Sequence, residues 1–269
     1  MIKKEQGKSI LDIASTDFEQ DRIVRILGCD IQSLTMSEAI NDLNHVIQNK
    51  QKCQVTYLNA DCLNKSVSDI DYRNVITRSE RVFPDGIGVK IACIITGQKM
   101  IENINGTDMF PELCQLSVKQ DYRLFFLGAK PGVVNVMKEN VEKRFPGIQV
   151  VGIQHGFFSE DNIDSIIDHI NTSNADLLFI AMGAPTQEKW IRQHIKKIDC
   201  SVILGVGGLF DFNAGHISRA PTLLRKLGSE WIWRLIQEPK RMWKRYLLGN
   251  VLFIYRVLRW GKDCPKKRS

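Results

Sequence analysis

Asp85 is the carboxylate whose setting best suits chemistry. It lies in Arg81 to Val89, RVFPDGIGV. An apolar edge, Val82-Phe83, runs into Pro84, which fixes its own φ and biases its predecessor toward extended backbone. Gly86 then lets the chain turn or pass close to a ligand. Such a strand-to-helix turn lies where open α/β sheets bind ligands. A carboxylate there can act as a general base. This stretch alone favours another role for it, as a cap on the helix that starts near Ile87.

Three more loops fall at predicted strand ends: Asn59-Ala60-Asp61, Ala184-Pro185-Thr186-Gln187-Glu188, and Gly207-Gly208 with Asp211. In a doubly wound sheet these ends share one edge and form a crevice. Glycine-turn amides and helix starts there favour a diphosphate. The GAKPG run at 128–132 matches neither the dinucleotide fingerprint nor the P-loop, and an ordinary turn explains it as well. Asp69-Ile70-Asp71 has the DxD form of metal-dependent sugar transfer, but it precedes a helical run and reads better as capping acids. Glu188 opens a helix, where the dipole alone favours an acid. His155 and His216 have no evident partners in the sequence. The 7 cysteines form no CxxC and the 5 histidines no HExxH, so neither a metal site nor a cofactor is expected.

The elements that must position these loops alternate regularly. Thr35 with Glu38 predicts a capping box opening a helix. Strands are expected at Val55–Leu58, Leu124–Leu127, Val150–Ile153, Leu177–Met182 and Val202–Val206, with helices between them. That alternation predicts an α/β fold, a Rossmann-like parallel sheet with helices on both faces. Residues 1–22 read as a flexible polar leader without the apolar run of a signal peptide, and 23–218 as the catalytic domain.

From Arg219 the character changes. Residues 219–269 hold 14 Lys/Arg and 3 Asp/Glu, a charge of +11 on a body of −4, together with four of the 5 tryptophans. Met242, Trp243, Tyr246 and Leu247 recur at helical spacing among Arg241, Lys244 and Arg245. This predicts a C-terminal helical basic appendage, and a basic amphipathic pattern with aromatic anchors suits a membrane interface. A packed helix with a solvated basic face is the plainer reading. Leu247 to Leu258 is too short to span a bilayer, which needs ~20 residues.

Together the motifs resemble the WecB/TagA/CpsF family, glycosyltransferase family 26. They are Asn59-Ala60, Pro84 to Val89, Asn105-Gly106-Thr107-Asp108, Gly183 to Glu188, Gly205 to Asp211, Arg219-Ala220-Pro221 and Glu230 to Pro239, in the family's order over roughly residues 24–247. The resemblance implies an inverting transferase, without an essential metal, that moves a sugar from a UDP-sugar to a polyprenyl-diphosphate-linked sugar. N-acetylmannosamine, its uronic acid and glucose stay open as donors. LNAD and NGTDMFP look more like exopolysaccharide members than teichoic-acid ones. The resemblance places Asp85 on the general base, Asn59 and Gln187 on sugar or acceptor positions, and Asp211 near the nucleotide beside Gly207 and Gly208. It places Arg234 and Arg241 on appendage arginines that reach a diphosphate. Tyr57 stands where the family usually has Thr, and Lys244 followed by Arg245 stands where it has an arginine. The expected setting is the inner face of the cell membrane, bound peripherally through the appendage, with no nucleic-acid partner; a homo-oligomer off the membrane is left open. A non-catalytic nucleotide-binding scaffold docking at the membrane is the rival reading. A Rossmann oxidoreductase is disfavoured because no GxGxxG follows a strand.

Overall fold

Leu177 to Ala181 is apolar at every position and wholly buried, as a parallel strand covered on both faces must be. Leu177, Phe179 and Ala181 enter one apolar cluster, while Leu178 and Ile180 enter another on the opposite face. The period of two along the strand divides them. The computed structural model describes residues 22–226 and 228–263. Almost all of the predicted leader lies outside the described residues.

The described chain opens with a hairpin of β1 (Ile23–Ile26) and β2 (Cys29–Gln32). Leu27 and Gly28, at φ 49° and 79°, make its two-residue turn, the left-handed geometry that matches strand twist. Then follow α1 (Met36–Gln48), β3 (Cys53–Leu58), α2 (Ala60–Ser68), α3 (Ile70–Thr77), β4 (Arg81–Pro84), α4 (Ile87–Ile95) and α5 (Gly106–Gln120). The second half alternates through β5 (Arg123–Gly128), α6 (Val133–Arg144), β6 (Gln149–Gln154), α7 (Ile163–Thr172), β7 (Leu177–Ala181), α8 (Thr186–His194) and β8 (Val202–Gly205). The last elements are α9 (Leu209–Asn213), α10 (Thr222–Lys226), α11 (Glu230–Gln237), α12 (Pro239–Trp243), a widened π turn over Lys244–Leu248 and α13 (Gly249–Trp260).

Strands β3 to β8 form one parallel six-stranded sheet in the order β4-β3-β8-β7-β5-β6. The Rossmann-like expectation therefore holds. The hairpin covers the β4 edge, where the Val82 amide donates to Gln32 Oε1 at 3.2 Å, so that edge is not left open for pairing. The Thr35–Glu38 capping box forms as expected.

The appendage packs back onto the body. Phe253 and Val257 of α13 are buried in one cluster with the hairpin, α2 and α4. A Cβ placed on Gly88 would stand 3.0 Å from Ala60 Cβ and 3.7 Å from Phe253 Cε1, so that glycine lets three helices meet. At the far end of α13, the Leu27 and Gly28 amides donate to Gly261 and Lys262 carbonyls at 3.0 and 2.9 Å. The tail thus shares a core with the residues that begin the described chain.

Candidate active site

Asp85 follows Pro84, the last residue of β4, and its amide donates to the Leu58 carbonyl at the end of β3 at 2.8 Å. Gly86 turns the chain at φ 88°, and its amide donates to Asn103 Oδ1 at 2.6 Å. Gly86 is the N-cap of α4, and no side chain caps that helix. Asp85 is therefore not a cap. Its partner is Asn59, which caps α2 by accepting the Cys62 amide at Oδ1 and donates from Nδ2 to Asp85 Oδ2 at 3.0 Å. One asparagine thereby fixes a helix start and aims the neighbouring carboxylate. Asp85 is half-buried.

Gln187 joins the two remaining loops. It is buried, and its Oε1 accepts both the Gly183 and the Gly207 amides at 3.0 Å. Its Nε2 donates to Glu188 Oε1 at 2.7 Å. Both ends of the amide are engaged, so the side chain that the resemblance puts on a sugar or acceptor position here ties the β7 and β8 loops together. The Gly207 amide is correspondingly turned toward Gln187. Asp211 lies half-buried in the short helix α9 behind the Gly207-Gly208 turn.

Sequence reasoning gave Glu188 only a dipole role. The structure buries it, with Oε2 unpartnered among the described residues and the unpartnered Gln54 Oε1 as another buried acceptor. Burial pushes its carboxyl up from 4.5 to about 7, against the hydrogen bond from Gln187. A raised folded-state value has a definite sign. Below about pH 4.5 the group is protonated in both states. Between there and about pH 7 the unfolded chain ionises first, so stability falls as pH rises, by at most about 3 kcal/mol. Glu188→Gln is expected to melt near the wild-type temperature at pH 5 and several degrees above it at pH 8. Equal shifts at both pH values would show that ionisation is not what limits the site.

The appendage reaches the same edge. Arg219 pairs with Asp108, whose carboxyl burial would raise but Arg219 and Asn105 hold low; this joins the Asn105–Asp108 motif to the start of the tail. Arg234 lies against the Gly208 turn: a Cβ on Gly208 would meet Arg234 Nη2 at 2.7 Å. Its guanidinium also lies 5.2 Å from the Phe212 ring centroid. Arg245 is half-buried and pairs with Asp61 at 3.4 Å. Burial opposes its charge, yet Asp61 first, with Tyr246, Cys62 and Asp85 contributing, holds its pKa above the ordinary value. Arg241 points elsewhere. Its side chain is 60% exposed and pairs with Glu238. Lys244 is exposed beside the Trp243 ring.

Tyr57 stands on the core side of β3. It is buried, donates its hydroxyl to Met109 Sδ at 2.9 Å and packs against Phe83 and the Cα of Gly106. Burial, with the Asp85 charge second, raises its pKa and keeps it neutral. Asp69 is the N-cap of α3, accepting the Tyr72 amide, and also pairs with Lys189 at 2.7 Å. The capping reading of the DxD run is thus the one the geometry shows. No group of three or more potential metal ligands occurs among the described residues.

The edge therefore gathers a carboxylate aimed by an amide, glycine turns and two inward arginines. The sequence over residues 24–267 matches the Glycosyl transferase WecG/TagA/CpsF family. The chain belongs to that family. It is a glycosyltransferase. Its relatives include two named N-acetylglucosaminyldiphosphoundecaprenol N-acetyl-beta-D-mannosaminyltransferase. The one from Bacillus subtilis (strain 168) is 32% identical over 203 residues, 76% of this chain and 78% of the relative. The one from Staphylococcus aureus (strain MW2) is 27% identical over 247 residues, 91% of this chain and 96% of the relative. Within this transferase, Asn103, which accepts the Gly86 amide, is the supporting residue that motif reading passed over, and Asp61, Glu188 and Arg245 were named there without the contacts that tie Asp61 to Arg245 and Glu188 to Gln187. Arg245 was within reach, as the cation beside Lys244.

Proposed function

We propose that this transferase moves N-acetylmannosamine from a UDP-linked donor onto N-acetylglucosamine carried on a polyprenyl diphosphate, with inversion, at a membrane surface. Asp85 carries the reading: it is a carboxylate at the sheet edge that caps no helix and is aimed by Asn59. Asp85 takes the proton from the acceptor hydroxyl as its oxygen attacks the anomeric carbon, and the bond to the UDP oxygen breaks on the opposite face. Arg234 and Arg245 supply positive charge for the departing diphosphate. Gln187, held by Glu188, keeps the Gly183 and Gly207 turns in register beneath it. The activities for which the relatives are named support the sugar and the acceptor. The acceptor's lipid fits a basic tail whose last described helix packs against the body, and no helix among the described residues is long and apolar enough to cross a membrane.

The test is a panel of UDP-sugars offered with a polyprenyl-diphosphate-linked N-acetylglucosamine. Transfer is expected from UDP-N-acetylmannosamine. Measurable UDP affinity with transfer from no donor would instead make the chain a nucleotide-binding scaffold. Because Arg234 and Arg245 neutralise the leaving group in this reading, added EDTA is expected to leave turnover unchanged. Loss on chelation that magnesium or manganese restores would overturn the metal-independent reading.

A further inference from the structure

The tail is not the whole of the apolar surface beside the crevice. Helix α4 belongs to the catalytic body and begins directly after Asp85-Gly86. It exposes Ile91, Ile94 and Ile95, with Ile94 69% accessible. Its inward positions Val89, Ala92 and Cys93 already satisfy the core. Helix α13 exposes Val251, Tyr255 and Leu258 while burying Phe253 and Val257. Two contacts fix how the helices lie. Phe253 meets the Cα side of Gly88, and Thr96 Cγ2 would stand 3.7 Å from a Cβ on Gly261. Both contacts advance by eight residues, so the helices run parallel and side by side.

Helical geometry then orders their outer faces. On α13, Arg256 turns toward α2, where it donates to Asn64. Ile254, Leu258 and Val251 therefore turn toward α4. On α4, Ile91 and Ile95 lie on the flank shared with Gly88, next to that row, and Ile94 lies beyond them. The result is one continuous apolar strip made by two helices. A strip of this size on a water-exposed surface calls for an occupant.

Charge selects the occupant. Neither IGVKIACII nor GNVLFIYRVLRW contains an Asp or Glu, and Lys90 and Arg259 are exposed on the two helices. A second copy of this face would bring cations against cations with no acid to pair them. An anionic lipid surface supplies both the apolar interior and the opposite charge. We propose that α4 of the catalytic body inserts with α13 as one two-helix membrane-binding face, so that the turn bearing Asp85 is held at the bilayer surface. This rests on the membrane reading above and assigns part of the attachment to the body rather than the tail.

The test uses the full chain and vesicles of phosphatidylglycerol and phosphatidylethanolamine. Ile91→Gln combined with Ile94→Gln is expected to weaken vesicle binding roughly tenfold or more. Thermal melting and transfer to a water-soluble acceptor analogue should remain at wild-type levels, because both residues are exposed and outside the crevice. A second readout is independent of that variant. The described cysteines are buried, so Ile94→Cys in a Cys264→Ser chain can carry an environment-sensitive dye. Its emission should shift to the blue with vesicles, whereas dye at Val136→Cys on α6 should not. Unchanged vesicle binding with no shift at residue 94 would sink the proposal while leaving tail attachment standing. Wild-type protein that ignores the vesicles would bring down the membrane reading itself. Loss of self-association in the double variant, with vesicle binding intact, would assign the strip to a second copy and overturn the lipid.

Discussion

Asp85→Asn is expected to slow sugar transfer by ~10²-fold or more, the range for a lost general base, with UDP affinity nearly unchanged. The substitution keeps size and shape. An asparagine oxygen can still accept from Asn59 Nδ2, the bond that spans 3.0 Å in the native site. The backbone contact from residue 85 to the Leu58 carbonyl and the Gly86 turn are also untouched. Helix α4 is capped by no side chain, so it loses no cap, and thermal stability should stay within the ±0.5 kcal/mol usual for a change of this kind. What disappears is the capacity to take a proton. The measurement is steady-state transfer beside UDP binding by calorimetry. Near-normal turnover would place the base elsewhere and leave Asp85 as a group that merely orients Asn59. Asn59→Ala should show an intermediate loss, since it both frees the Asp85 carboxylate and removes the α2 cap, worth ~1 kcal/mol of stability.

Much of this was legible in the residues. The strand-and-helix alternation from Leu124 to Val206 predicted the parallel sheet because buried parallel strands are short apolar runs and their helices are amphipathic. The Pro84-Asp85-Gly86 turn marked its own place because proline and glycine restrict and free the backbone at known positions. Other features could not be read locally. Tyr57, two residues before Asn59 on β3, and Gln187, in the first turn of α8, lie near strand ends as Asn59 and Asp85 do, yet they turn inward, to Met109 and to two glycine amides. Only the sheet order, which sets β3 between β4 and β8, decides which side of a strand end meets the core. Arg245 illustrates the same limit in the tail. Periodicity at 3.6 residues put Arg241, Lys244 and Arg245 on one basic face. Pro239 restarts the helix after Glu238, and the widened turn over Lys244–Leu248 changes the angular count again. One arginine ends outside and another inside.

That division sets the second large effect. Arg234→Ala and Arg245→Ala are each expected to lower turnover by ~10²–10³-fold, the scale for removing one preorganised donor from developing negative charge. Arg241→Ala should cost only a few-fold. Folding should survive all three, because each acid involved retains another cation. Asp61 keeps Lys65 at 2.9 Å when Arg245 is lost, and Glu238 keeps Arg241 at 2.9 Å when Arg234 is lost. Membrane binding should also survive, since each variant removes one charge from a tail of +11. The decisive comparison is kcat against KM for the three variants, with vesicle binding measured in parallel. A transition-state role predicts that kcat falls for Arg234→Ala and Arg245→Ala while vesicle binding holds. If all three variants lose vesicle binding in proportion to turnover, the arginines act through attachment alone. If Arg241→Ala is as damaging to kcat as the other two, the tail must re-dock on substrate and bring that exposed guanidinium into the crevice, and Arg245 would then lose its claim to be the inward cation of the working site.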